Sequence, residues 1–150
     1  MKLAEALQRR ADLNRRIRQI NSRLESNAVI QEGSEPQEDP AELLAELDRD
    51  LDELEDLITR INLTNSKVKV NGETLTSLLA RREVMQLRIN ALRDAADAAS
   101  RLVDRYRATE IRNVSTLKVA ELRKRIDDLS GQFRVLDNAI QAANWATELK

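Results

Sequence analysis

The chain has 150 residues, 41% of them hydrophobic but with only one Phe, one Trp and one Tyr, and its 25 basic and 26 acidic side chains leave a net charge of -1. It contains neither Cys nor His, which excludes disulfides, thiolate nucleophiles, Cys-based zinc sites and any His- or Cys-dependent enzyme chemistry. A core must be built from Leu, Ile, Val and Ala, as in a helical bundle, and the near-neutral balance gives no global attraction for nucleic acid or anionic membrane.

Leu3, Ala6, Arg10, Leu13, Ile17, Ile20 and Leu24 step by three and four, predicting a helix over about 2–26 whose seam only Arg10 interrupts. Lys2, Arg9, Arg16 and Arg23 recur every seven residues as a basic flank beside it. Residues 27–39 lose the periodicity and gather Gly33, Pro36 and acidic side chains, so they read as an acidic loop. Glu32, Glu35, Glu38 and Asp39 offer oxygen ligands to a hard cation, but without Asp-x-Asp-x-Asp spacing they predict a solvated loop, not a metal site.

Asp39 before Pro40 and Glu42 is a helix start: an N-cap acceptor, a proline where its missing N–H costs nothing, and a carboxylate in the positive first turn. The second helix, 40–63, has Leu44, Leu47, Leu51, Leu54, Ile58 and Ile61 in register, widened by Leu43 and Leu57. The first helix carries seven basic and three acidic residues and the second two basic and eight acidic, so the two should lie side by side, with Asp48 and Glu55 answering the basic flank.

Residues 67–75 alternate and turn on Asn71-Gly72, predicting a small β-hairpin. A third helix over 75–108 follows, with seam positions Leu78, Arg82, Met85, Ile89, Leu92, Ala96, Ala99, Val103 and Tyr106. A fourth over 117–147 has a wholly apolar seam: Val119, Leu122, Ile126, Leu129, Phe133, Leu136, Ile140 and Ala143. The expected fold is one all-α domain, an antiparallel four-helix bundle of long coiled-coil-like helices with a hairpin between helices two and three. Two separate helical hairpins that close only on oligomerisation are the alternative. The third and fourth helices are expected to outlast the other pair and to mediate a homo-oligomer, a dimer or a higher form such as a hexamer.

Arg10 and Arg82 sit at seam positions near the starts of their helices, seven residues beyond Leu3 and four beyond Leu78, so parallel first and third helices would bring them near one level. Glu55 or Asp56, Asn62 and Asn65 of the second helix and Asn138, Asn144 and Trp145 of the fourth approach the same end. This predicts a polar layer that fixes register or, alternatively, takes an anion or other small molecule. No Gly-rich phosphate loop, nucleophile elbow or distinct carboxylate pair stands out, so neither an enzyme nor a cofactor is expected.

Through MKLAEAL with Arg10, NAVIQEG with Pro36 and EDP, RIN with Thr64 and Asn65, DRY at Asp104 to Tyr106 with Glu110 and Ile111, and IQAANWATEL, the chain resembles the septicolysin-like family of small, mostly actinobacterial helical proteins. The resemblance spans nearly the whole length. It implies an all-helical oligomer of unestablished molecular function, and shared polar residues Asn62, Asn65, Arg105, Glu110, Asn144 and Trp145 at helix ends or a subunit contact. The family name comes from a pore-forming toxin, a role at odds with the lack of an apolar hairpin and of aromatic interface anchors. With no signal-like start and no run of about 18 apolar residues, a cytoplasmic protein that engages neither membrane nor nucleic acid is expected.

Overall fold

The structure, a computed structural model, describes residues 1–101 and 113–150. It is all-α apart from one hairpin: α1 (Leu3–Asn27), α2 (Pro40–Lys67), β1 (Lys69–Val70), β2 (Glu73–Thr74), α3 (Leu75–Ser100) and α4 (Val119–Ala146). The chain divides into two compact units, Met1–Lys69 with Ala142–Lys150, and Val70–Gln141.

The first unit is an antiparallel helical hairpin. Glu5 accepts the Lys2 backbone N–H at 2.7 Å, satisfying a donor ahead of α1. Asp39 caps α2 as expected, its carboxylate accepting the Ala41 N–H at 2.8 Å with Pro40 in the first turn. The seam buries Leu3, Ala6, Leu13 and Ile20 of α1 against Leu43, Leu57 and Ile61 of α2.

The α2 register differs from that expected. The buried row is Leu43, Asp50, Leu57 and Thr64 with Ile61, while Leu44, Leu51 and Ile58 are 51%, 43% and 37% exposed. Both rows are spaced by seven, so leucine spacing alone could not say which faces α1; the loop sets that rotation. Asn27, buried at the end of α1, accepts the Glu38 N–H at 3.0 Å through Oδ1 and donates Nδ2 to the Arg23 carbonyl at 2.9 Å.

In the second unit, Asn71 (φ 51°) and Gly72 (φ 88°) make the tight turn between β1 and β2 in the left-handed region that Asn and Gly tolerate best. The Thr74 hydroxyl accepts the Ser77 N–H at 3.2 Å and starts α3 directly from the strand. The antiparallel α3 and α4 meet around Ile89, Ala96 and Ile126, with Met85, Leu92, Leu122, Leu129 and Phe133 partly buried.

Helix ends depart from expectation in places. α2 runs four residues further, to Lys67, because Thr64 and Ser66 send their hydroxyls to carbonyls of their own helix and do not break it. α3 ends at Ser100, capped through the Arg101 N–H; the remainder of the expected helix, 102–108 with Val103 and Tyr106, lies outside the described residues. The helices are 25, 28, 26 and 28 residues long, so the later pair is not the longer.

Candidate functional site

The first unit holds a ladder of ion pairs along one flank. Arg9 reaches Glu53 with two hydrogen bonds of 2.6 and 2.7 Å, Arg16 reaches Glu46 at 2.6 Å, and Arg23 pairs with Glu38. The seven-residue basic row is therefore where the sequence puts it, but its main partners are Glu46, Glu53 and Glu38 and not Asp48 and Glu55. With Leu43, Asp50 and Leu57 in the seam, the adjoining flank of α2 falls on 46 and 53, and 48 and 55 lie on the far side. Hydrogen bonding to the guanidinium of Arg9 holds the Glu53 carboxyl below the ordinary carboxylate range, and Arg23 does the same to Glu38.

Asp50 is the residue that pattern reading missed. It is buried, and Arg16 Nε lies 3.0 Å from its Oδ2 without hydrogen-bond alignment. No apolar periodicity flags a carboxylate at that place; only its position seven after Leu43 and seven before Leu57 does.

At the other end of the same unit the last residues form a clasp. The Leu3 N–H donates to the Thr147 carbonyl and the Leu149 N–H to the Met1 carbonyl, both at 2.9 Å. Thr64, fully buried, donates its hydroxyl to the Arg60 carbonyl at 2.8 Å and accepts the Lys150 N–H at 3.0 Å. Arg60 Nε in turn donates to the Lys150 carbonyl at 3.0 Å. Glu148 takes Lys2 at 2.7 Å and the Met1 α-amino group at 3.2 Å, and both hold its carboxyl below the usual range.

In the second unit, an open cleft of about 700 Å³ runs between the hairpin, α3 and α4, with Leu78, Met85, Leu136 and Ala139 as its apolar part. Its polar lining is Asn71, Glu73, Arg81, Asp127, Asp128 and Gln132, and Arg81 is tied to Glu73. Arg82 pairs with Asp137 at 2.8 Å, both one-third exposed. That pairing explains how an arginine sits in the α3 seam: a carboxylate one turn before Ile140 meets it.

The residues expected in a polar layer have these places within their own units. Arg10 is exposed on α1 and makes no ion pair among the described residues, so it is not a buried seam arginine. Arg82 has Asp137, not the neighbouring Asn138, as its partner within its unit. Glu55 and Asn62 are exposed and Asn65 is half-buried on α2; Asn144 is buried, and Trp145 is 63% exposed at the end of α4. Arg105 and Glu110 lie outside the described residues. Of the loop acids, Glu38 is taken by Arg23, and among the described residues no three acidic side chains gather as a metal site would need.

Fold and side chains together define a class: an all-α protein built on long antiparallel helix pairs, one of them flanked by a ladder of ion pairs. The model for a family of unknown function (DUF6847) matches residues 10–149, and the chain belongs to that family. A solved structure described as that of a functionally unknown conserved protein from Corynebacterium diphtheriae is 39% identical, over 100% of this chain and 99% of that one, with a TM-score of 0.94. No curated protein matches.

Proposed function

We propose that this is a non-enzymatic structural or interaction protein that self-associates through its long helices. The observation that supports it is the row Leu44, Leu51 and Ile58, three large apolar side chains left exposed at seven-residue intervals on a well-formed helix. Isolated exposed apolar residues are ordinary, but a heptad-spaced row is a helix seam without a partner. Among the described residues α3 and α4, the surfaces expected from the sequence, expose Val84, Leu87, Val135 and Trp145, which form no comparable row. The narrower septicolysin-like resemblance remains our own reading of the matched stretches.

A ligand-binding role for the cleft has weaker support. Its carboxylates Glu73, Asp127 and Asp128 outnumber Arg81, which Glu73 already neutralises, so an anion is poorly served there. The pore-forming role finds none: among the described residues no helix is long and apolar enough to cross a membrane. Light scattering tests the leading reading, which expects a mass of at least twice 17.1 kDa at micromolar concentration. A clean monomer overturns it.

A further inference from the structure

We infer that the open face of the α1/α2 hairpin is the contact surface for a second copy of this chain, each α2 lying against the other copy's α1 in an antiparallel four-helix layer. The inference rests on the self-association reading and names its surface and symmetry. Two helices paired through one seam have two flanks. Here the flank of Arg9, Arg16 and Arg23 is closed by Glu53, Glu46 and Glu38. The opposite flank carries exposed Leu44, Leu51 and Ile58 of α2, bordered by half-buried Leu47 and Leu54, and half-buried Ile17 and Leu24 of α1. Arg10 stands on it seven residues before Ile17.

The charges at its edges select the occupant. Asp48 and Glu55 border the α2 row; Arg10 and Arg18 lie on the α1 side; all four are exposed, and none forms an ion pair among the described residues. The Arg9–Glu53 and Arg16–Glu46 pairs fix the levels: seven residues up α1 answer seven residues down α2. Arg10 is therefore level with Asp52 and within a turn of Glu55, and Arg18 is one turn from Asp48. A twofold axis along the hairpin keeps these levels and puts one copy's basic edge opposite the other's acidic edge. A face with one basic and one acidic edge is its own complement under that operation. From Leu44 to Asn65 the face is about 30 Å long and about 20 Å wide, roughly 600 Å² per copy, which reaches the lower end of stable interfaces.

The test uses Arg10→Glu and Glu55→Arg in the full chain, with helicity by circular dichroism as the folding control and sedimentation velocity as the readout. Each substitution alone sets like charges against each other across both halves of the interface and weakens the dimer about tenfold. An equimolar mixture restores it, because a dimer with one copy of each variant has opposite charges at both places; pairing within a chain cannot do this. Leu51→Asp yields a folded monomer at concentrations where the parent is dimeric. If the parent self-associates but all three variants associate as it does, or the mixture stays as weak as its components, this surface is wrong and self-association stands. If the parent is monomeric at 100-fold higher concentration than the assay's starting point, both readings fall and the face belongs to another protein's helix.

Discussion

Asp50 is the only buried charged residue among those described, and it occupies a seam position that leucine fills one heptad either side. A buried carboxylate is stabilising only relative to losing its counter-charge, and Arg16 also serves Glu46. Asp50→Leu should therefore raise the melting temperature, by the equivalent of about 1–3 kcal/mol, whereas Arg16→Ala should lower it. A lowered melting temperature for Asp50→Leu would show that the carboxylate does more than tolerate its site. Thr64 makes the opposite case: its hydroxyl is both donor and acceptor in a fully buried place, so Thr64→Val should cost about 1 kcal/mol or more in chemical denaturation. Neither role was legible in the sequence. Thr64 reads as a helix-end polar residue and Asp50 as one acid among eight, marked only by its place between Leu43 and Leu57, and their partners lie 86 and 34 residues away.

At the scale of elements, much was legible because the signals were local. The Asp39-Pro40 start, the Asn71-Gly72 turn and the every-seventh-residue basic row of α1 all appear where chain chemistry puts them. The rotation of α2 did not, since Leu43, Leu57 and Leu44, Leu51 give two equally good stripes and the choice depends on the path of the loop between the helices. The ladder and the clasp around Glu148 have a consequence for pH. Glu53, Glu38 and Glu148 have folded pKa values below their ordinary one, so their contribution is complete above that ordinary value, about 4.5, and is lost as pH falls through the depressed folded values. Thermal melts should lose stability progressively from about pH 5 downwards, and less so in 1 M salt, which screens exposed pairs. A melting temperature flat from pH 5 to about pH 3 would mean that the ladder and the Glu148 pairs contribute nothing.

For the molecule as a whole, composition carried the class: with three aromatic residues and no Cys or His, long helices packed through aliphatic seams are what this chain can build. Arg10 and Arg82, equivalent interruptions of their seams in the sequence, differ in the structure: one is exposed and the other is neutralised by Asp137. The apolar row on α2 is left exposed, and the proposed second copy would cover it. The melting temperature of the unmodified chain over a hundredfold range of concentration tests this most directly, because a folded state completed by association is stabilised by mass action. We predict a rise of about 5 °C across that range, absent in Leu51→Asp; a melting temperature independent of concentration in the unmodified chain would contradict it.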